Sequence, residues 1–264
     1  MLILLTNDDG IYAPGLAALE KTLRRLGEVE VVAPATEQSG VGHSITFRMP
    51  LLYKQILLDD ENHLGWAVEG TPADCVKIGV SHICKRKPDL VVSGINGGLN
   101  AGINVLYSGT VAAAIEASFY RIESFAVSLE YRNKKMPYAE AAEIATDVIE
   151  NILARKNETG NVSPELYNLN IPLQAIEGER TVKVTSMDPN QYWESFEKRT
   201  DPSGKPYFWL IGRPIPREIG DLSSQNGVMT DLQALAQGFV TLTPLDYNMT
   251  KWEAIADREC PSRQ

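Results

Sequence analysis

Asp8 and Asp9 stand side by side in LLTNDDGIYAPG, directly after an apolar run and directly before a glycine. Two carboxylates on one loop repel each other and raise one another's pKa unless a cation or hydrogen-bond donors compensate. Alone, Asp-Asp-Gly reads as a turn. Three further polar, glycine-rich stretches change its meaning. APATEQSGVGHSITF carries Gln38, Ser39 and His43, SGINGGLNAG carries Ser93, Asn96 and Asn100, and VLYSGTVAAA carries Ser108, Gly109 and Thr110. The Ser39 hydroxyl and the Asn96 amide add neutral oxygens to the carboxylate pair. A donor set made only of oxygens suits a hard divalent ion, Mg²⁺ or Mn²⁺, rather than zinc. Ser108–Gly109–Thr110 opens a helix, and free N–H groups at the positive end of its dipole favour a phosphate. An ion beside a phosphate cradle points to phosphoryl chemistry. His43 is a candidate general acid, and equally a histidine hydrogen-bonded within its own loop. Ser108 and Thr110 are equally ordinary helix caps.

Each of these loops follows a segment that reads as a buried strand. Leu2 to Thr6 is a short continuous apolar run, as expected of a strand covered on both faces. A helix is expected from Pro14 to about Leu26, with Leu16, Leu19, Leu23 and Leu26 as its apolar stripe. Glu20 and Arg24 are expected on its opposite side as an i,i+4 pair. Val29 to Ala33 is the second strand, which completes a strand–helix–strand unit of a parallel sheet. Further on, 71–84 reads as a helix with Thr71 as N-cap and Pro72 first. Residues 88–94 read as a strand, 109–120 as a helix of small residues, 124–130 as a strand, 138–153 as a helix and 167–172 as a strand. Such alternation predicts a doubly wound α/β fold, in which sites form outside the carboxyl ends of the strands. The four polar loops all fall on that edge.

After about residue 185 the character changes. TVKVTSM, PYFWLIG and FVTLTPL read as strands and TDLQALAQG as a short helix, with a turn-rich aromatic stretch, MDPNQYWESFEKRTDPSGKP, between the first two strands. The expected division is a catalytic core over 1–185 and a β-hairpin-rich extension over 186–264 that mediates oligomerisation through exposed aromatics.

Bulk composition limits the partners. The 264 residues are 44% hydrophobic and 22% charged, ordinary for a globular chain with a sizeable core. With 25 Lys and Arg against 34 Asp and Glu the net charge is −9. That disfavours nucleic acid, which needs a basic face, and calls for a local positive charge if the substrate is anionic. Cys75, Cys84 and Cys260 are scattered without a CxxC, and no apolar run reaches the length of a membrane span. A soluble cytoplasmic protein with no membrane partner is the expectation.

Competing motifs are missing. No GxGxxG follows the first strand, and neither GxxxxGK[ST] nor GxSxG occurs. His82 and Cys84 lack a second ligand pair at zinc spacing, and the contiguous Asp8–Asp9 does not meet the DxD pattern of a metal-using glycosyltransferase.

Taken in order, LLTNDDGIYAPGLAAL, VVAPATEQSGVGHSITF, EGTPADCVKIG, KPDLVVSGINGGLNAG and VLYSGTVAAAIEAS resemble the stationary-phase survival protein SurE family. The resemblance runs over about residues 3 to 130, and YNLNIP and FVTLTPL resemble later segments. It implies a three-layer, Rossmann-like core with a mostly parallel sheet and a C-terminal extension that exchanges between subunits, giving homodimers or homotetramers. It implies metal-dependent nucleotide phosphatase activity, with one divalent ion per subunit held by Asp8, Asp9, Ser39 and Asn96. The phosphate pocket it implies comprises Asn96, Asn100, Ser108, Gly109 and Thr110. This chain departs from many members at Ala35, at Asn104, and at Phe119–Tyr120, where a glycine is common.

The expected function is therefore a 5'-nucleotidase that hydrolyses nucleoside monophosphates, with other phosphomonoesters and short polyphosphate as further candidate substrates. Asp8 and Asp9 are the expected catalytic residues. The alternative is a non-catalytic sensor that binds nucleotide or phosphate in the same pocket without turnover.

Overall fold

Alternate side chains of the first strand, β1 (Leu2–Thr6), enter two different cores: Ile3 and Leu5 join one, Leu4 the other. A strand that is buried on both faces needs a helix layer on each, and this one has them. The computed structural model describes residues 1–58, 63–132, 135–160, 163–189, 193–213 and 227–251. The remaining strands are β2 (Glu28–Pro34), β3 (Tyr53–Leu57), β4 (Leu64–Val68), β5 (Leu90–Gly97), β6 (Glu123–Leu129), β7 (Leu166–Ile171), β8 (Val182–Val184), β9 (Trp193–Thr200), β10 (Pro206–Arg213) and β11 (Val240–Leu245). The α-helices are α1 (Pro14–Leu23), α2 (Pro72–Ile78), α3 (Gly109–Phe119), α4 (Tyr138–Thr159), α5 (Leu173–Glu177) and α6 (Asp231–Ala236).

Nine strands form one sheet in the order β3-β4-β2-β1-β5-β6-β7-β11-β8. The six from β4 to β7 are mutually parallel, and β3 and β11 run antiparallel to their neighbours β4 and β7. This is a doubly wound, Rossmann-like α/β fold, and its strand order reverses between β1 and β5. Helices α1 and α4 cover one face with Leu16, Leu19, Leu23, Ala141, Ala145 and Ile149. Burying a leucine such as Leu19 contributes about 1.5–3 kcal/mol. On the other face, Cys75 and Val76 of α2 and Ala113 and Ala117 of α3 meet Leu4, Val32 and Val91. Small residues let α3 lie close to the strands.

Several local expectations change. The helix α1 ends at Leu23, three residues early. Glu20 makes the expected i,i+4 pair with Arg24 (2.5 Å), but it is 7% exposed rather than open on the outer side, with His63 also on its carboxylate (3.4 Å). α2 ends at Ile78 and continues as a wider turn over Gly79–Ile83. α4 runs on to Thr159, where Gly160 at φ +68° caps it. The strands β3 and β4 had no sequence expectation, because neither alternates cleanly. β9 lies in the stretch read as turns, of which residues 190–192 are outside the described residues, as is Cys260. The boundary expected at residue 185 does not divide the sheet, since β11 returns to it between β7 and β8. Among the described residues only β9 and β10 stand apart, as a two-stranded antiparallel pair.

Candidate active site

The sharp turn after β1 is closed by Asn7. Its fully buried side chain accepts from the Gly10 N–H (3.2 Å) and donates to the Gly10 carbonyl (2.9 Å). Gly10 takes φ +100°, and Ile11 N–H then donates to Pro34 O (2.8 Å). The next loop is tied on by Gln38 N–H, which donates to Asp8 O (2.7 Å). Asp8 and Asp9 are thereby fixed at the carboxyl end of β1, at the switch point where doubly wound sheets bind ligands.

Asp8 is 4% exposed, and its Oδ1 accepts a 2.5 Å bond from the Thr110 hydroxyl. Gly109 lies against it so closely that a Cβ there would sit 2.9 Å from the Asp8 Cβ. Burial pushes the Asp8 carboxyl up to about 6, with the Thr110 hydroxyl opposing and the Asp9 charge adding to the rise. Asp9 is also raised, first by burial and then by Glu37, against a weak 3.4 Å bond from the Gly97 N–H. The pair is thus a like-charge arrangement that the protein's own donors only partly relieve.

Asn96, at the end of β5, donates its side-chain amide to Gly98 O (2.7 Å), and its side-chain oxygen accepts from no described residue. Asn96 immediately precedes the Gly97 that bonds Asp9. Ser39 is exposed, and its hydroxyl donates to Glu37 Oε1 (2.7 Å), one residue beyond the Gln38 anchor. Ser108 caps α3, its Oγ accepting from Val111 N–H (3.1 Å). Thr110 turns its hydroxyl to Asp8 rather than to an open pocket. Asn100 is built into the framework: its N–H donates to Asn170 Oδ1 (2.8 Å), its side-chain amide to Ser128 Oγ (2.9 Å), and its carbonyl accepts from Asn168 (2.6 Å) and Asn170 (3.2 Å). Contacts thus join Asp8, Asp9, Gly97, Gly109 and Thr110 directly, with Asn96 next to Gly97 in the chain and Ser39 next to the Gln38 that bonds Asp8.

His43 does not point a free ring at this crevice. Its Nε2 lies 2.8 Å from Glu116 Oε2, and Lys77 Nζ lies 2.7 Å from the other carboxylate oxygen. Burial pushes the Glu116 carboxyl up, but the bonds from His43 and Lys77 outweigh it and hold the group below the usual range. Sequence reasoning missed Glu116, Lys77, Ser128, Asn168 and Asn170 as supports. The only available signals were a glutamate within an otherwise small-residue helix and two asparagines within an apolar strand. It missed Tyr138 as well, whose hydroxyl lies 2.8 Å from where a Cβ on Gly97 would sit.

The donor set fits a hard divalent ion. Two inadequately compensated carboxylates supply charge, and the Asn96 and Ser39 oxygens are neutral donors at the same edge. Among the described residues no group of three or more His, Cys, Asp or Glu side chains is assembled to hold a metal, so neutral oxygens would have to complete the shell. Two cavities lie elsewhere, one of about 450 Å³ beside α1 at Glu20 and His63, the other of about 540 Å³ at Lys87, Arg121 and Lys156. Charge and hydrogen bonding, not volume, mark the crevice between β1 and β5. No described helix is long and apolar enough to cross a membrane.

The family model described as survival protein SurE matches residues 3–194. A protein from Rhodopirellula baltica named 5'-nucleotidase SurE is 51% identical over 258 residues, covering 97% of each chain. One of the same name from Syntrophus aciditrophicus is 41% identical over 256 residues, covering 97% of this chain and 91% of its own. The crystal structure of the SurE protein from Aquifex aeolicus superposes with a TM-score of 0.78 at 37% identity, covering 97% of both chains. The match over residues 3–194, which spans all four polar loops, and identities of 41–51% over nearly the whole chain have one reading: this chain belongs to the SurE survival-protein family.

Proposed function

We propose that the chain is a divalent-metal-dependent phosphatase that hydrolyses nucleoside 5'-monophosphates to nucleoside and phosphate. The observation that carries this is the pair of buried Asp8 and half-buried Asp9 at the sheet's switch point, with Asp8 against the N-terminus of α3. Relatives of the same length bear the name 5'-nucleotidase SurE, in agreement with that reading.

Asp8, Asp9, Ser39 and Asn96 would hold the ion, Mg²⁺ or Mn²⁺. When bound, it supplies a water of lowered pKa and neutralises charge on the phosphate. Asp8 orients the attacking water and takes its proton. The Thr110 hydroxyl holds one Asp8 oxygen and leaves the other for this work. Attack by Asp8 itself is disfavoured, because a carboxylate held by a cation and a hydroxyl is a blunted nucleophile. The first N–H groups of α3, with Ser108 capping the helix, receive the phosphate oxygens, and Asn100 fixes the loop opposite. The exposed side chains of the β9–β10 pair, Phe196, Phe208 and Leu210, support a homodimer or homotetramer.

Phosphate release from nucleoside monophosphates, measured with Mn²⁺ or Mg²⁺, tests the reading. Activity is expected to vanish in EDTA, and D8N is expected to lose about 10³-fold or more in kcat. Full activity in chelator or in D8N sinks it, and saturable nucleotide binding without turnover at any metal would establish the sensor alternative.

A further inference from the structure

Ser39 sits in a short segment with anchors on either side and glycines within. Before it, Gln38 N–H donates to Asp8 O (2.7 Å). After it come Gly40 at φ +70° and Gly42 at φ +56°, and a Cβ on Gly40 would touch nothing within 4 Å. Two left-handed glycines, the first with open space around it, give a segment little stiffness of its own. Its conformation must be set from beyond them.

The far anchor is His43. Gly42 N–H donates to Tyr107 O (3.0 Å), and next to it the His43 ring reaches Glu116 on α3 (2.8 Å). Glu116 is 2% exposed and is held on its other oxygen by Lys77 of α2. The His43 ring stacks on Phe119, centroids 5.4 Å apart and planes 13° apart, and Phe119 in turn meets Tyr247 edge-on at 4.9 Å. Beyond His43, Thr71 Oγ1 donates to Ser44 O (2.8 Å), and Thr46 N–H donates to the Asp74 carboxylate (3.0 and 3.1 Å).

The Glu116 carboxylate is buried while His43 and Lys77 are partly exposed, and such an arrangement is a weak source of net stability, since desolvation of the carboxylate consumes most of the gain from its partners. It is a good means of fixing position, because each partner has one satisfactory place. The α3 helix that carries Glu116 also carries Thr110, which holds Asp8. One rigid helix therefore references both the carboxylate and the loop that presents Ser39. The ring that packs on His43 is Phe119, at the end of the same helix.

We propose that His43 is a positioning residue: through Glu116, Lys77 and the Phe119 ring it locks the glycine-flanked segment that presents Ser39 to the ion. This rests on the metal reading of the site. The histidine acts through Ser39 and touches neither substrate nor ion.

The test compares wild type, H43A and H43Q as full chains. Gln keeps an N–H donor for Glu116. In metal-free protein, amide hydrogen exchange over residues 39–44 is expected to speed up at least about tenfold in H43A, with the protection of α3 retained, and to slow again in H43Q. Mn²⁺ binding followed by electron paramagnetic resonance is expected to weaken about tenfold in H43A and to recover in H43Q. The metal concentration for half-maximal activity should rise in H43A, while kcat at saturating metal changes far less. Unchanged exchange in H43A overturns the anchor, and looser exchange with unchanged Mn²⁺ affinity overturns its link to the ion. If H43A does not fold, H43Q with exchange and Mn²⁺ affinity equal to wild type supports the proposal, and H43Q with fast exchange overturns it. Wild type that binds no Mn²⁺ overturns the metal reading and with it the presentation of Ser39 to an ion. That failure is distinguishable, because the exchange measurements need no metal.

Discussion

Asp8 is a carboxylate taken out of water beside another carboxylate, and burial accounts for most of its raised pKa of about 6. A raised acid pKa means that the folded metal-free protein binds a proton more tightly than the unfolded chain. Between the ordinary value of 3.8 and about 6 the folded state holds more protons, so this group's contribution to stability falls as pH rises through that window. A divalent ion replaces the proton. The gain in melting temperature from Mn²⁺ is therefore expected to grow as pH rises through about 6 and to be small below about 4.5. Thermal melts with and without EDTA, in wild type and in D8N, isolate the effect; a metal gain that does not depend on pH contradicts it. T110V removes the 2.5 Å bond that opposes the rise. The acid limb of its kcat/KM profile should move to higher pH, and kcat should fall about tenfold.

At the scale of elements, α2 and α3 present the loops. Thr71 and Asp74 form a capping box on α2, with Asp74 N–H donating to Thr71 Oγ1 at 3.2 Å and Thr71 N–H to Asp74 Oδ2 at 2.9 Å. Thr71 also donates to Ser44 O, so the cap and the loop share one residue. T71A should cost about 1 kcal/mol from the cap, read as a shift in the urea midpoint at unchanged slope. It should also raise the metal concentration needed for half-maximal activity, because Ser44 loses its donor. A stability loss with the metal requirement unaltered would confine Thr71 to capping.

For the whole molecule, the one open question of assembly centres on the β9–β10 pair. Phe196 pairs with Leu210 and Lys198 with Phe208, so Phe196, Leu210 and Phe208 share one face, each more than half exposed. Three large apolar groups on one side of a two-stranded pair are the basis of the proposed assembly. Light scattering is expected to give a multiple of 29.1 kDa for the wild-type chain and 29.1 kDa for the double variant F208E/L210E. A wild-type chain that scatters as a monomer at micromolar concentration rejects the assembly.

Period and punctuation made much of this legible in advance. Leu2 to Thr6, the leucine stripe of α1, Thr71–Pro72 and the small residues of α3 are local signals, and each acts within a few residues of itself. The order of strands and helices placed four polar loops on one edge before any contact was known, and the motifs in those loops carried the family resemblance. What local signals cannot hold is partnership across the chain. The Gly97 N–H that reaches Asp9 comes from 88 residues away, the Glu116 that holds His43 from 73, and the Asn170 that receives Asn100 from 70. β3 and β4 were invisible because pairing with neighbouring strands, not alternation, makes them strands, and Glu20 looked exposed because the His63 that meets its carboxylate comes from a distant segment. Sequence by itself determined the alternating elements of the core and the polar residues that follow β1, β2 and β5, since both depend on near neighbours. Only the tertiary structure decided that Thr110 belongs to Asp8 and His43 to Glu116, because hydrogen bonds between distant segments exist only once the sheet has set β1 beside β5 and laid α2 and α3 on one face.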